Sequence, residues 1–372
     1  MELFYLMSIA LYALLLGAMK KNWEESSFYP PQQGKGFRIA LLIPFRNESQ
    51  HLPSLLLHLE KIIPPSLEII FINDNSGDGS EYLIASFLRV RNLKNWELLE
   101  NSGIGKKAAL TTGIHHAEAE IIMTTDADCL LPEDWYRWMS QPFYLDHIQL
   151  VAGPVMTVSQ GDFFSKFQQI EWASILLVTQ YFFSLRRPLM CSGANLAYRK
   201  SAFMMVGGYG GNEEHLSGDD EFLLKKIIRN FGDQSTAYLS REAVLVKTQP
   251  APCLGAFLQQ RVRWASKWKL HRSVKHVLFA LGSYVMAMVQ LGSVFLIFGD
   301  VWSKTVFLVF WILKIIVEKK VLGRVLNEYA IHPTVSSFIK TSYLHPVYLI
   351  TVGLATLGGK FTWKGRKSNY IV

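Results

Sequence analysis

Cysteine is scarce: Cys129, Cys191 and Cys253 are the only three in 372 residues. They lie far apart with no paired spacing, which excludes a disulfide framework or a cysteine metal knuckle and fits a reducing compartment. As small buried hydrophobes they need no further role. Charge is also thin. Charged residues make up 18% of the chain and hydrophobic ones 50%, with a mean hydropathy of +0.16. That balance is apolar for a purely soluble enzyme. Acidic residues almost disappear after position 260, where residues 261–372 hold 16 Lys/Arg against 3 Asp/Glu. The basic surplus thus sits in the most apolar third of the chain, where it suits an anionic lipid surface. No zinc-finger spacing or RNA-binding aromatic pattern is present, so no nucleic-acid partner is expected.

Apolar runs and charge order divide the chain. Met1–Met19 is apolar apart from Glu2 and Ser8, and Lys20 and Lys21 follow it. A secretory signal has the opposite charge order, so residues 1–20 are expected to be an uncleaved membrane helix with a cytosolic domain after it. Residues 36–270 are expected to form an α/β domain. Apolar runs at Ile39–Ile43, Leu67–Ile72, Glu120–Thr125 and Ile148–Val155 read as strands covered on both faces. Helical patterns at Leu52–Ile63, Ser80–Arg91 and Lys106–Ala117 lie between them, the alternation of a βαβ-built sheet. Phe163–Leu185 reads as an amphipathic helix at the membrane surface or under the sheet. Residues 271–372 form a membrane region of two to four segments with a basic tail. Its runs are Val274–Phe298, Val301–Val317, whose Lys304 and Lys314 are expected to snorkel, and Tyr343–Leu357.

Polar clusters fall where the strands end, which is where open α/β sheets bind ligands. Thr125-Asp126-Ala127-Asp128 follows an apolar strand. On an extended chain, residues two apart face the same way, so both carboxylates can meet one Mg²⁺ or Mn²⁺, with substrate phosphates completing its shell. Asn73–Ser80 is a polar, glycine-punctuated loop after a second strand, with Ser80 a candidate helix cap. Pro44–Glu48 repeats that geometry. Asn101–Lys107 lacks the spacing of a nucleotide-triphosphate P-loop, yet a lysine at a helix start can meet a diphosphate. Asp219, Asp220 and Glu221 precede the helix Phe222–Asn230, and one of three repelling acids can serve as a general base. In Gln260-Arg261-Val262-Arg263-Trp264 a guanidinium suits phosphate and an indole suits a sugar or apolar acceptor. Taken singly, each cluster is also an ordinary turn, helix cap or interfacial belt.

Their order is more specific than any one of them. Ile43–Glu48 (Ile-Pro-x-Arg-Asn-Glu), Asn73–Ser80, Gly105–Leu110 (Gly-Lys-x-x-Ala-Leu), Thr125–Asp128, Cys191–Asn195, Gly218–Asp220 and Gln260–Trp264 resemble the family 2 glycosyltransferases. The resemblance is to the membrane-bound kind that includes cellulose, chitin and hyaluronan synthases and ceramide glucosyltransferases. It implies a GT-A nucleotide-sugar fold, a Rossmann-like mixed sheet flanked by transmembrane helices, and inverting transfer. Carried over, Pro44, Arg46, Glu48 and Asp74 frame the nucleoside and Lys106 approaches the diphosphate. Asp126 holds donor ribose or metal, and Asp128 the metal. Cys191, Ser192, Gly193, Ala194 and Asn195 line the acceptor entrance, and Asp220 is the base. Gln260 and Arg263 hold the diphosphate, with Trp264 at the acceptor. The family often has Asp-Asp where this chain has Asn73-Asp74, and no Phe-x-Val-Thr-x-Lys gating segment is found.

The expected activity is metal-dependent transfer from a nucleotide-sugar, a UDP-sugar by family frequency, to a lipid or lipid-linked acceptor. The expected setting is a multi-pass protein of the cell (inner) membrane with its catalytic domain in the cytosol. The alternatives are a processive polysaccharide synthase and, of another class, a non-catalytic nucleotide-sugar-binding scaffold.

Overall fold

The structure is a computed structural model that describes residues 1–24, 36–211, 218–266, 274–358, 360–363 and 366–369. Ser217 and the 267–270 end of the expected catalytic domain lie outside the described residues. The chain divides into a sheet unit, residues 26–156 and 182–249, and a helical unit, residues 1–25, 157–181 and 250–372. The expected catalytic domain thus crosses this division three times, because its sequence holds segments of both units.

The sheet unit is built on ten strands. They are β1 (Ile39–Phe45), β2 (Glu68–Asn73), β3 (Trp96–Glu100), β4 (Ile121–Thr124), β5 (Cys129–Leu130), β6 (Leu150–Ala152), β7 (Val155–Thr157), β8 (Leu196–Arg199), β9 (Thr236–Tyr238) and β10 (Val246–Thr248). Seven form one sheet in the order β3-β2-β1-β4-β8-β6-β9, and β5-β10-β7 form a small second sheet. β3, β2, β1 and β4 run parallel. β8 is antiparallel to both β4 and β6, which makes the sheet mixed. Every residue of β4 and all but the first of β1 and β2 are buried, as expected for strands covered on both faces.

The chain moves outward from β1 through β2 to β3, then returns to place β4 on the other side of β1. That reversal opens a crevice at the carboxyl ends of β1 and β4. The expected single strand Ile148–Val155 is in fact two. Gly153 and Pro154 interrupt it, and proline has no N–H for a ladder. β6 stays in the large sheet and β7 joins the small one.

Twelve helices are used below: α1 (Glu2–Glu24), α2 (Leu52–Ile62), α3 (Ser80–Arg91), α4 (Lys106–His116), α5 (Trp135–Ser140), α6 (Phe163–Ser184), α7 (Lys200–Met205), α8 (Asp219–Phe231), α9 (Leu254–Ala265), α10 (Val274–Gly292), α11 (Val301–Glu328) and α12 (Val335–Leu357). In α2, Leu52, Leu55, Leu56 and Leu59 recur at helical spacing and are buried, with a proline in the first turn. Helix α3 has Gly79, not Ser80, at its N-cap, and Asp78 just before it holds the first turn. Its Oδ1 accepts the Ser80 N–H at 3.1 Å and the Ser80 hydroxyl at 2.5 Å.

Among its described residues the helical unit contains two segments long and apolar enough to cross a membrane, Glu2–Trp23 (22 residues) and Ala280–Phe298 (19 residues). Tyr5, Ile9, Leu296, Val306, Phe310 and Trp311 bury a seam that joins α1 to α11. Most large side chains away from the seam, such as Leu14, Phe295, Phe298 and Trp302, are exposed. Helix α6 is buried on nearly every face, which goes against the first of its two expected settings, the membrane surface. Lys314 does not snorkel: it is fully buried, pairs with Glu318 one turn on at 2.6 Å, and donates to the Ser342 carbonyl at 2.8 Å. A carboxylate within reach removes the need for the ammonium to seek water. Lys304 is exposed.

Candidate active site

The site is assembled at the rim of the sheet unit, beginning with Asp74 at the end of β2. Its Oδ1 accepts hydrogen bonds from the Gly105 N–H at 2.8 Å and the Asn101 amide at 2.9 Å. This carboxylate therefore holds the loop that leads into α4. Gly105 has φ +92°, a conformation side chains rarely adopt, and α4 begins at the next residue with Lys106 at its mouth. The neighbouring Arg46 donates to the carbonyls of Asp74 at 2.7 Å and Asn75 at 2.9 Å. Glu48 is buried, receives the His51 ring at 2.8 Å, and donates its N–H to Ser80 Oγ. Pro44 lies within β1 opposite Ile72. These residues, expected around the nucleoside, shape the loops that would receive it.

Asn73 stands where the family resemblance leads one to expect aspartate, and its surroundings favour the amide. Its NH₂ donates to Glu100 at 3.0 and 3.2 Å and to Glu81 at 3.3 Å, and its oxygen accepts the Ser76 N–H at 2.9 Å. A carboxylate there would face two others without a proton to offer.

Lys106 is the centre of the rim. Its Nζ is 2.5 Å from Asp126 Oδ1 and 3.5 Å from Asp219 Oδ2. Burial opposes its charge, but Asp126, then Asp219 and more weakly Asp220, outweigh that and hold its pKa above the ordinary lysine value. The acids come from α8, whose first turn contains Asp219, Asp220 and Glu221, all buried. The sequence had placed them before the helix. Inside it, the unpaired amides and the dipole of the N-terminus stabilise carboxylates that would otherwise repel.

A third loop locks against this cluster. The Thr124 hydroxyl donates to the Gly193 carbonyl at 2.7 Å and the Thr125 hydroxyl to the Ala194 carbonyl at 3.0 Å. The Gly193 N–H donates to Asp220 Oδ2 at 3.1 Å. A Cβ on Gly193 would lie 2.7 Å from Asp219 Oδ2 and 3.4 Å from Lys106 Nζ, so any side chain there would have to push Asp219 aside. Lys106, Asp126, Asp219, Asp220 and Gly193 thus meet at one place.

Asp128 lies beside that group rather than inside it. The Asp126 carbonyl accepts the Cys129 N–H at 3.1 Å, closing a turn, so the pair is presented by a turn and not by an extended strand. Asp128 faces the small sheet, where Thr248 Oγ1 reaches its Oδ2 at 3.5 Å. Burial first, then Asp128 and Asp126, push the Cys129 thiol up, which favours its neutral form. Among the described residues, no cluster of three or more His, Cys, Asp or Glu has metal-holding geometry. Two hard carboxylates on one turn nevertheless fit a divalent cation that takes its other ligands from phosphate and water.

The loop 191–195, expected at an acceptor entrance, is divided. Cys191 and Ser192 are half-buried. Asn195 is fully buried, and its side chain accepts from the Trp135 indole at 2.9 Å and donates to the carbonyls of Pro154 and Val244, both at 2.7 Å. It is a structural post, not a surface for an acceptor. Asp219 was missed as a site residue. Its signal was adjacency to Asp220, but which carboxylate meets Lys106 depends on the pitch of α8. Gln260, Arg263 and Trp264 belong to α9 in the helical unit.

Residues 40–207 match the model of the family described as Glycosyl transferase family 2. The chain carries a family 2 glycosyltransferase domain. This domain is similar to the poly-beta-1,6-N-acetyl-D-glucosamine synthase of Staphylococcus epidermidis, 29% identical over 63% of this chain and 55% of that protein. The synthase of the same name from Staphylococcus aureus strain COL is 27% identical over 61% and 53%. The chain spans about half the length of these curated relatives. Among solved structures, a mannosyltransferase from Pyrobaculum calidifontis in complex with GDP-Man and Mn2+ has a TM-score of 0.57 at 17% identity, covering 95% of this chain and 98% of that one. The likeness shows the fold: the glycosyltransferase domain has the GT-A architecture expected from its sequence.

Proposed function

We propose that this enzyme transfers a sugar, with inversion, from a nucleotide-sugar to a hydroxyl of a lipid or lipid-linked acceptor at a membrane. The observation that carries the proposal is the convergence of Lys106, Asp126, Asp219 and Asp220 at the carboxyl rim of the sheet. Asp220 accepts the proton of the acceptor hydroxyl as that oxygen bonds to the anomeric carbon. The bond from that carbon to the diphosphate oxygen breaks, and the nucleoside diphosphate leaves with the electron pair. Asp126 and Asp128 would hold a divalent cation, which when bound offsets charge on the departing diphosphate. Lys106 supports the same charge, because its carboxylate neighbours keep it protonated. The motif resemblance assigns Gln260 and Arg263 to the diphosphate and Trp264 to the acceptor. A UDP-sugar is the preferred donor, in keeping with the N-acetylglucosamine polymer in the names of the staphylococcal relatives. The two apolar helices favour an acceptor that resides in the bilayer.

Those names also favour a second reading, a processive polysaccharide synthase. A panel of UDP- and GDP-sugars, offered with membrane lipid extract and with or without Mn²⁺ or Mg²⁺, separates the two. Nucleotide release with one sugar added per lipid, read by mass spectrometry, supports lipid transfer, whereas a ladder of lengthening products supports the polymerase. Release that is indifferent to metal removal would count against the role given to Asp126 and Asp128.

A further inference from the structure

The Gln-x-x-Arg-Trp segment contains an arginine that the motif itself leaves unspecified. Arg261 is 3% exposed and forms a two-pronged pair with Glu171 of α6, Nε to Oε1 at 2.8 Å and Nη2 to Oε2 at 2.5 Å. Its remaining prong, Nη1, donates to Gln260 Oε1 at 2.6 Å. A guanidinium has no acceptor, so only the amide oxygen of Gln260 can face it. The NH₂ of Gln260 is turned away from Arg261, and an NH₂ is the end of an amide that a phosphate oxygen can accept from.

The same guanidinium lies 4.2 Å from the Trp264 ring centroid, 4.6 Å from that of Phe257 and 5.3 Å from that of Trp172. Trp172 and Trp264 meet edge to face at 5.1 Å. Glu171 is in turn held by α12, whose Tyr348 hydroxyl donates to Oε1 at 2.9 Å. Tyr348 also stacks on Phe257 at 5.2 Å. One buried side chain therefore sets the orientation of two of the three motif residues and is tied to the last helix of the bundle.

We infer that Arg261 is a positioning residue that presets the Gln260 amide as a donor to the leaving diphosphate, with Glu171 and Tyr348 holding it in place. The inference rests on the proposed role of Gln260 at the diphosphate. Lysine keeps the charge but cannot hold Glu171 and Gln260 together in one fork.

The test uses the full chain in detergent, titrated with UDP and, in parallel, GDP, each with Mn²⁺. Arg261→Lys is expected to weaken binding of the nucleoside diphosphate roughly tenfold, the scale of a lost charge-assisted hydrogen bond. It should also shrink the near-ultraviolet circular dichroism of the Trp172–Trp264 pair. In a Gln260→Ala background, which itself weakens binding, the same change should shift Kd less than about twofold, because the arginine acts through the missing amide. Tyr348→Phe removes one hydrogen bond and, should Arg261→Lys fold poorly, supplies a milder loss of roughly twofold that must likewise vanish without Gln260. Additive effects of the two changes overturn the inference and leave the glycosyltransferase reading standing. Unaltered binding by Gln260→Ala, or wild-type binding of neither diphosphate, removes the diphosphate assignment and the inference with it.

Discussion

Both units bury charge, but they arrange it differently. In the helical unit each buried cation has its own carboxylate: Lys314 with Glu318, and Arg261 with Glu171. Neutral donors complete these carboxylates, Tyr12 at 2.7 Å and Ser342 at 2.5 Å on Glu318, and Tyr348 on Glu171. In the sheet unit the buried acids Asp219 and Asp220, together with Asp126, share the partly buried ammonium of Lys106 at the mouth of two helices. A closed pair is costly to open and does not respond to a ligand, so it serves as architecture. A shared charge can be redistributed when a diphosphate and its cation arrive, which is what a transfer reaction needs.

The comparison can be broken in four places. The largest effect is expected from Asp220→Asn, which should keep donor binding and lose transfer by about 10²-fold or more, the scale of a positioned base. Turnover close to wild type in a nucleotide-release assay would take Asp220 out of the reaction. Next, Lys314→Met should cost about 3–5 kcal/mol of stability in detergent melts, since it leaves Glu318 buried without its partner. Replacing Lys314 and Glu318 together should recover most of that loss. A Lys314→Met protein that melts normally but fails in transfer would mean that the helical pairs are not merely architectural.

Gly193→Ala is a sharper probe of the shared cluster. Its added methyl must displace Asp219 from a 2.7 Å approach, at a cost of about 1–3 kcal/mol typical of overpacking. Transfer should fall with it, whereas unchanged activity would show that the approach of Asp219 to Lys106 is dispensable.

The smallest effect concerns pH. Because the folded pKa of Lys106 is raised, the stabilisation it contributes is complete below the unfolded lysine value of about 10.4 and is lost only as pH climbs through the higher folded value. Stability should therefore be insensitive to Lys106 from neutrality to about pH 9. Amine acylation at that pH, mapped by mass spectrometry, should spare Lys106 while labelling the exposed Lys304, and Asp126→Asn should make Lys106 more reactive. Early labelling in the wild type would contradict the shared-charge picture.

Several errors of the sequence reading have one cause. Local pattern located helices α2, α3 and α4 almost to the residue, because periodic apolar spacing and glycine punctuation are properties of neighbours in the chain. Strands β3, β8, β9 and β10 escaped it. Trp96–Glu100 is only half-buried and edges the sheet, and the other three are only three or four residues long, so their apolar pattern is weak. The fates of Asn195 and Lys314 were equally hidden, since the same residue types serve as ligand contact or as buried post depending on partners dozens of positions away.

By itself, the sequence determined the kind of chemistry. The order of acidic, lysine and Gln-x-x-Arg-Trp fragments and the apolar runs are covalent facts that survive in any conformation, and they already specified a nucleotide-sugar fold beside membrane-length helices. Only the tertiary structure decided which carboxylates meet Lys106, that Gly193 lies against Asp219, and that Arg261 faces Gln260 from inside. Those outcomes depend on angstrom-scale distances between segments 20 to 113 positions apart, set by strand order and helix pitch together, and no local pattern encodes them.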